Sequence, residues 1–285
     1  MTEPLTMTAR VEAPIAEVRH ALTDPAAMRV WLAEHAEVDL PHRYAFWGRH
    51  TPEGDAPHQN PAYADERALR FSWLLDGEET TVEIDLVAES EKVTLITLSQ
   101  THFDFQDVIP GKSIRGVLHT FWTLAIANLV DHLEGREPTP KPDFTSTAPE
   151  LWARVEIDSP VEEVFDSLID SEKASAWFGM PIGIEPHVGG RFAMGGLDVD
   201  PQPAKILDLV PGERLSIDWG AGMGVGTWEL AGSGGKTSLT LVQSGFDTAR
   251  PPYPAWTGIL SGIAELRRFH ELPNWRPIWV QEEAA

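Results

Sequence analysis

The sequence predicts an α+β protein in which one domain occurs twice, and three features carry that prediction. A block near the start recurs about 146 residues later, alternating segments divided by polar turns fill the middle of each copy, and one long apolar-striped helix closes each.

Residues 9–32 read ARVEAPIAEVRHALTDPAAMRVWL, and residues 155–178 read VEIDSPVEEVFDSLIDSEKASAWF. At a constant shift, Pro14, Glu17, Val18, Leu22, Asp24 and Trp31 fall on Pro160, Glu163, Val164, Leu168, Asp170 and Trp177. The same shift carries Leu69, Phe71 and Trp73 to Leu215, Ile217 and Trp219. After small drifts of the shift across expected loops, Thr97, Leu98, Gln100 and Phe103 meet Thr240, Leu241, Gln243 and Phe246. Trp122, Ile126 and Leu129 meet Trp256, Leu260 and Ile263. Matches kept in order over such a length indicate duplication of a whole domain. Between the copies, Pro138, Pro140 and Pro142 alternate with other residues, which favours an extended spacer. The expected layout is a first domain over 1–138, a Pro-rich linker over 139–150, and a second domain with a C-terminal tail over 151–285. Trp275, Ile278 and Trp279 in that tail predict that it packs on something.

Each copy opens with a half-buried strand, because Ala9 and Val11, or Val155 and Ile157, alternate with polar neighbours. A short amphipathic helix follows; in the second copy Val161, Val164, Phe165 and Leu168 recur at helical spacing, with Ser159 placed as N-cap and Pro160 at the first helical position. A second short helix holds Trp31 or Trp177. Antiparallel strands are expected over 69–75, 79–88 and 92–100, then over 213–219, 225–231 and 237–244, with further strands in parts of 36–50 and 182–195. Long helices are expected over about 115–134 and 254–271. In the first, Leu118, Phe121, Trp122, Ala125, Ile126, Leu129, Val130 and Leu133 form a stripe wider than one flat contact needs.

Composition narrows the function classes. Against 22 Lys and Arg stand 44 Asp and Glu, a formal net charge of −22 that repels phosphate, so neither nucleic acid nor an anionic membrane is an expected partner. Without cysteine, disulfides, thiolate metal sites and Cys nucleophiles are excluded. Met1 to Ala9 shows no basic or apolar targeting pattern and no apolar run approaches 18 residues, so a cytoplasmic protein is expected. Eleven Trp and eleven Phe against three Tyr bias the chain toward large apolar rings that line cores or pockets.

Catalytic and metal signatures are weak. Gly220-Ala-Gly-Met-Gly-Val-Gly226 has glycine spacing, but a strand-like Thr227-Trp-Glu-Leu follows where a phosphate loop would open a helix, so a hairpin is expected. No two histidines stand at i, i+2 or i, i+4, and His102-Phe-Asp104 is only a dyad; no metal and no cofactor is expected. His119 lies one position from the apolar stripe and is expected to face solvent in preference to a cavity. Glu78-Glu79, Asp65-Glu66 and Glu282-Glu283 read as solvated faces, and no Gly-x-Ser-x-Gly elbow exists.

The order of a strand, a Pro-x-x-Glu-Val helix, a short Trp helix, antiparallel strands and a Trp-x3-Leu-x2-Ile/Leu helix resembles the START/Bet v 1-like (SRPBCC) superfamily. Within it the chain is similar to the branch named after the activator of Hsp90 ATPase homologue 1. Carrying the likeness are Pro160-Val-Glu-Glu-Val-Phe165, Gly189-Gly-Arg-Phe192, Glu213-Arg-Leu215 with Trp219, Thr240-Leu-Val-Gln-Ser-Gly-Phe246, and Trp256 with Leu260 and Ile263. The first copy departs from it with Arg43-Tyr-Ala-Phe-Trp47 and a longer loop over 48–66. The resemblance implies two tandem helix-grip domains, each a curved antiparallel sheet wrapped around a long C-terminal helix with a cavity between. It also implies binding of lipids, hormones or polyketides, with cyclisation, dehydration or aromatisation in some members and sequestration of an enediyne product in others. Fold alone does not choose among these.

Alternation puts Phe71, Trp73, Ile84, Ile96 and Leu98 on one face in the first copy, and Leu215, Ile217, Trp219, Trp228, Leu239 and Leu241 on the corresponding face in the second. A filled core is the competing reading for every one of them. Gly258 and Gly262 inside the last helix, each costing about 0.8–1 kcal/mol relative to Ala, imply a close approach by a ligand or by a packed neighbour. Polar groups able to orient a ligand are Arg191, Gln243 and Tyr253, with Gln100 and Tyr44 in the first copy. The candidate ligand-binding residues are therefore Trp177, Phe192, Met194, Ile217, Trp219, Trp228, Leu241, Gln243, Tyr253, Trp256, Leu260 and Ile263, joined by Phe71, Trp73, Phe121 and Trp122. The expected activity is binding of a hydrophobic, polycyclic or polyketide-like small molecule, in antibiotic biosynthesis or in self-resistance by sequestration. The alternatives are a polyketide cyclase or dehydratase using Tyr253, Arg191 or a histidine, and an Hsp90-type chaperone-interaction module. Internal duplication is consistent with a monomer.

Overall fold

A computed structural model describes residues 4–101 and 114–280. The chain divides into two compact units, Met1–Ser146 with Tyr253–Ser261 and Ile278–Ala285, and Thr147–Pro252 with Gly262–Pro277. Phe103, the His102–Asp104 dyad and the Glu282–Glu283 pair lie outside the described residues.

The first unit runs β1 (Leu5–Val11), α1 (Ile15–Thr23), α2 (Pro25–Trp31), β2 (His35–Asp39), β3 (Arg43–Trp47), β4 (Gln59–Ala64), β5 (Ala68–Leu75), β6 (Glu78–Ser90), β7 (Val93–Gln100) and, after a 3-10 turn, α3 (Leu118–Leu133). Its main sheet is antiparallel in the order β1-β7-β6-β5-β4, beside a β2-β3 hairpin. β4 falls inside the expected loop over 48–66. Pro61 hides it from sequence reading, because proline supplies no ladder donor; it is tolerated on this edge strand, where the register shifts between Pro61 and Tyr63. β3 is tied to β4 by a side chain, as the Phe46 N–H donates to Gln59 Oε1 at 3.1 Å.

The second unit runs β8 (Glu150–Ile157), α4 (Val161–Ile169), α5 (Ser171–Phe178), β9 (Ile182–Ile184), β10 (Arg191–Met194), β11 (Ala204–Val210), β12 (Arg214–Asp218), β13 (Val225–Ser233) and β14 (Lys236–Ser244). These strands form one antiparallel sheet, β8-β14-β13-β12-β11-β10-β9. The closing helix α6 (Tyr253–Glu271) starts among residues of the first unit and ends among those of the second. The protein is thus α+β, with the helix-grip arrangement occurring twice in tandem. Gly220–Gly224 joins β12 to β13, so the glycine-rich run is a hairpin turn.

Duplicated residues make duplicated bonds. Asp24 accepts from the Ala27 N–H at 2.8 Å to open α2, and Asp170 accepts from the N–H groups of Glu172 and Lys173 at 3.0 and 2.9 Å to open α5. The Trp31 indole N–H donates to the Ala21 carbonyl at 3.0 Å, and that of Trp177 to Ser167 at 2.9 Å. Thr94 Oγ1 reaches the Ala13 carbonyl at 2.8 Å, as Thr237 Oγ1 reaches Ser159 at 2.7 Å. One expectation fails at α4. Pro160 itself is the cap, at φ −58° and ψ 145°, and Ser159 makes no cap bond; its hydroxyl donates to Glu163 at 3.3 Å.

Segments flanking the repeats are held down. In the first unit Asn128 and Thr139 exchange two bonds of 3.0 and 2.9 Å, and Lys141 Nζ donates to the Arg29 and Val30 carbonyls at the end of α2. The tail packs, as its apolar residues predict. Ile278 is fully buried, its carbonyl accepts from the Arg10 N–H at 2.9 Å, and the Val280 N–H donates to Thr8 at 2.9 Å. These bonds cover the outer edge of β1, which would otherwise present an open ladder.

Candidate functional site

The inner face of each sheet can be compared row by row. In the first unit, strand pairing sets Phe71, Val82, Gln100 and Leu5 side by side across β5, β6, β7 and β1. The same row of the second unit is Ile217, Gly226, Gln243 and Leu151. The adjoining row is Leu69, Ile84, Leu98 and Met7 in the first unit, and Leu215, Trp228, Leu241 and Ala153 in the second. The second sheet therefore lacks a phenyl ring and an isopropyl group in the glutamine row and gains one indole in the next.

The first unit fills its row with rings. Phe46 lies 5.9 Å from Phe71, 5.1 Å from Trp73 and 6.5 Å from Trp122, between ring centroids. Phe121 joins Trp73 at 5.7 Å and Trp122 at 5.1 Å, mostly edge to face. None of these five rings is more than 4% exposed. Their polar partners are satisfied: Gln100 Oε1 accepts from the Trp122 indole at 2.6 Å and Gln100 Nε2 donates to Thr80 at 3.0 Å. Tyr44 is equally committed, with its hydroxyl on the Leu22 carbonyl at 3.2 Å and burial holding its pKa up. Phe71, Trp73, Phe121 and Trp122 thus form an interlocked core, and neither Gln100 nor Tyr44 has its side-chain group free to orient a ligand.

In the second unit the rings are fewer and separated. Trp219 stands 5.6 Å from Phe192 and 6.1 Å from Trp228, while Trp177 pairs with Phe178 at 5.2 Å. Ile217 and Leu241 are fully buried, Trp219 is half-buried, and Met194 is 41% exposed on the sheet margin. A Cβ built on Gly226 would sit 2.7 Å from Trp219 Nε1, 3.0 Å from Gln243 Oε1 and 3.5 Å from Trp228 Cη2, so three candidate residues converge over this glycine. Gln243 Nε2 donates to the Met223 carbonyl in the β12–β13 turn. That bond fixes the amide's orientation, since the flipped amide would set two oxygens against each other. Gln243 Oε1 and Trp219 Nε1 are buried with no hydrogen-bond partner among the described residues. Strand pairing brings out Gly226, which from sequence carried only a turn signal.

The other candidates are placed elsewhere. Tyr253, Trp256 and Leu260 belong to the first unit, and Ile263 to the second. The Tyr253 hydroxyl donates to the carbonyls of Asp143 and Ser146 at 3.0 and 3.3 Å, and its ring meets Phe144 at 5.0 Å; burial and then Asp143 raise its pKa. Arg191 is exposed and donates to both carboxylate oxygens of Glu185 from Nε and Nη2, at 3.1 and 2.7 Å. Those bonds, with one from the Arg191 backbone N–H, hold Glu185 down to about 2. Gly258 admits Thr120, whose Cγ2 lies 3.2 Å from the Cβ position, and Gly262 admits Trp177 and Phe178 at 3.2 and 3.3 Å. Packed neighbours therefore occupy both glycine sites in α6. His119 is solvent-exposed on α3. Among the described residues no group of three histidines or carboxylates could hold a metal ion, and no helix is long and apolar enough to cross a membrane.

Solved structures with similar chain paths include DynU16, a protein of the dynemicin biosynthetic locus, at 18% identity and a TM-score of 0.40, covering 94% of this chain and 100% of that one. The di-domain ARO/CYC protein BexL of the BE-7585A biosynthetic pathway shows 16% identity and a TM-score of 0.36, covering 97% and 100%. CalU16 from Micromonospora echinospora shows 24% identity and a TM-score of 0.37, covering 48% and 77%. No curated protein matches the sequence. The model of the family described as Activator of Hsp90 ATPase homolog 1-like protein matches residues 12–134 and again residues 158–266. With both repeats matched over most of their length, the chain belongs to the Activator of Hsp90 ATPase homolog 1-like family.

Proposed function

We propose that the second repeat binds a hydrophobic, polycyclic small molecule against the inner face of its sheet, while the first serves as a packed companion. The observation that carries this reading is the changed row, Ile217-Gly226-Gln243-Leu151 where the first unit has Phe71-Val82-Gln100-Leu5. Relative to the first unit this row gives up a phenyl and an isopropyl group while the next row gains the Trp228 indole, so the face trades phenyl and branched side chains for indole surface. Trp219, Trp228 and Phe192 then offer flat surfaces for a flat guest. Burying apolar area at about 25 cal/mol per Å² supports micromolar affinity with no catalytic group. In a pathway that makes polycyclic polyketides, such a protein would hold or sequester the product. Two side chains suited to moving protons for a cyclase, Tyr253 and Arg191, are already engaged with protein partners, which favours binding over turnover.

The test is titration with N-phenyl-1-naphthylamine, a neutral dye that the acidic chain does not repel. Saturable enhancement with one dye per chain, abolished by Gly226→Leu and kept by Val82→Ile, is expected. Unchanged dye and Trp emission up to the solubility limit of the dye would remove the proposal.

A further inference from the structure

Beside its apolar rings, the inner face of the second unit carries two polar groups that are unmet among the described residues. Trp219 Nε1 is a donor only, and Gln243 Oε1 is an acceptor only once Nε2 is fixed on the Met223 carbonyl. Gln243 is 1% exposed, so its oxygen is shielded from bulk solvent and has no protein partner among the described residues. A buried unmet group of this kind destabilises the fold unless something answers it. Their first-unit counterparts divide: the oxygen of Gln100 is capped by Trp122, whereas the indole nitrogen of Trp73 is also unmet. Of these two glutamine–tryptophan pairs, Gln243 and Trp219 leave acceptor and donor both unmet among the described residues.

The two atoms are also close enough to share one partner. A single point, the Cβ position of Gly226, lies 2.7 Å from the nitrogen and 3.0 Å from the oxygen. Points at those two distances form a ring about the line joining the atoms, and the Gly226 backbone occupies one arc of it. An oxygen elsewhere on that ring would sit within hydrogen-bond distance of both. It must accept from an N–H and donate to a carbonyl oxygen, which a hydroxyl does and a ketone or an ether does not. The flanking rings of Phe192 and Trp228 select the body that carries it.

Resting on the binding reading above, the geometry points to a hydroxylated aromatic ligand whose hydroxyl accepts from Trp219 Nε1–H and donates to Gln243 Oε1. The glycine-rich turn over 220–224 supplies the anchor for this arrangement, because its Met223 carbonyl holds the amide the right way round. Gly226 places no side chain of its own between the two atoms. An alanine there would put a methyl group onto the ring of shared positions.

Affinities of the full-length protein for 2-naphthol, 2-methoxynaphthalene and naphthalene, read by Trp quenching, test the assignment. The methyl ether can accept but not donate, and the hydrocarbon does neither. Expected is a preference of about tenfold for 2-naphthol over both, the yield of two modest hydrogen bonds. In Gln243→Leu and Trp219→Phe the preference should shrink to about twofold while naphthalene still binds. Should Gln243→Leu fail to fold, Trp219→Phe and the wild-type probe series decide. Equal affinity for the three probes would overturn the hydroxyl anchor and leave the binding reading standing. A preference unchanged in Trp219→Phe or in a folded Gln243→Leu would overturn the residue assignment. Failure of all three probes to bind would overturn the binding reading itself.

Discussion

Arg191 shows how a side chain that suits a ligand by type can be used up by its neighbour. The alternation of β10 turns Arg191 outward, beside Glu185 across the short turn from β9, and the two make a forked pair. Glu185 consequently titrates near 2 in place of 4.5. The unfolded chain binds the proton first as pH falls, so the pair favours the folded state above about pH 4.5 and loses that effect as pH drops through 2. Arg191→Ala should return the Glu185 carboxyl toward its ordinary range, which carbon-detected NMR titration reads directly. It should also flatten the fall in stability between pH 4.5 and 2. Because the guanidinium faces away from the glutamine row, binding of N-phenyl-1-naphthylamine at neutral pH should stay within about twofold. A large loss of dye binding would place Arg191 at the site after all.

At the scale of elements, periodicity revealed what it physically encodes and missed what it does not. Strands β5 to β7 and β12 to β14 were legible because one face is apolar and the other wet, as Leu69, Phe71 and Trp73 illustrate. β4 was not, since Pro61 and a shifted register break the alternation. Trp177 carried an ambiguous signal: a large ring on a short helix reads as pocket lining, whereas its indole, like that of Trp31, pins two helices together. Gly226 was illegible as a site because its importance depends on which residues β12 and β14 place beside it. The tail was legible through Ile278 and Trp279, though its docking edge was not. Truncation after Pro277 should expose the β1 edge and the buried Ile278 contact. Losing that side chain's burial and two backbone bonds should cost about 2–4 kcal/mol. Faster amide exchange at Arg10, whose N–H donates to Ile278, is the specific signature. Unchanged Arg10 exchange would show that the edge needs no cover.

For the whole molecule, duplication in sequence does not coincide with compactness in space. The first unit is completed by residues 139–146, 253–261 and 278–280, all beyond the end of the first repeat near residue 138. Asn128 makes the consequence concrete. Fully buried in α3, it has its amide satisfied at both ends by the backbone of Thr139. A fragment ending at 138 leaves that amide unmet, at a cost of about 1–3 kcal/mol. It also lacks Lys141, which caps the last carbonyls of α2, and Pro142, whose carbonyl meets His50 Nδ1 at 2.8 Å. A fragment ending at 146 restores these contacts but still leaves β1 uncovered and α3 without Thr257, whose hydroxyl meets that of Thr120. Stability should therefore rise from fragment 1–138 to fragment 1–146, and again to the first unit within the full chain. Denaturant unfolding followed by the buried Trp31, Trp73 and Trp122, with hydrogen exchange along α3 in the full chain, measures that order. Equal stability of the two fragments would mean that the Pro-rich segment is a passive spacer, and that the boundary near 138 is the physical one.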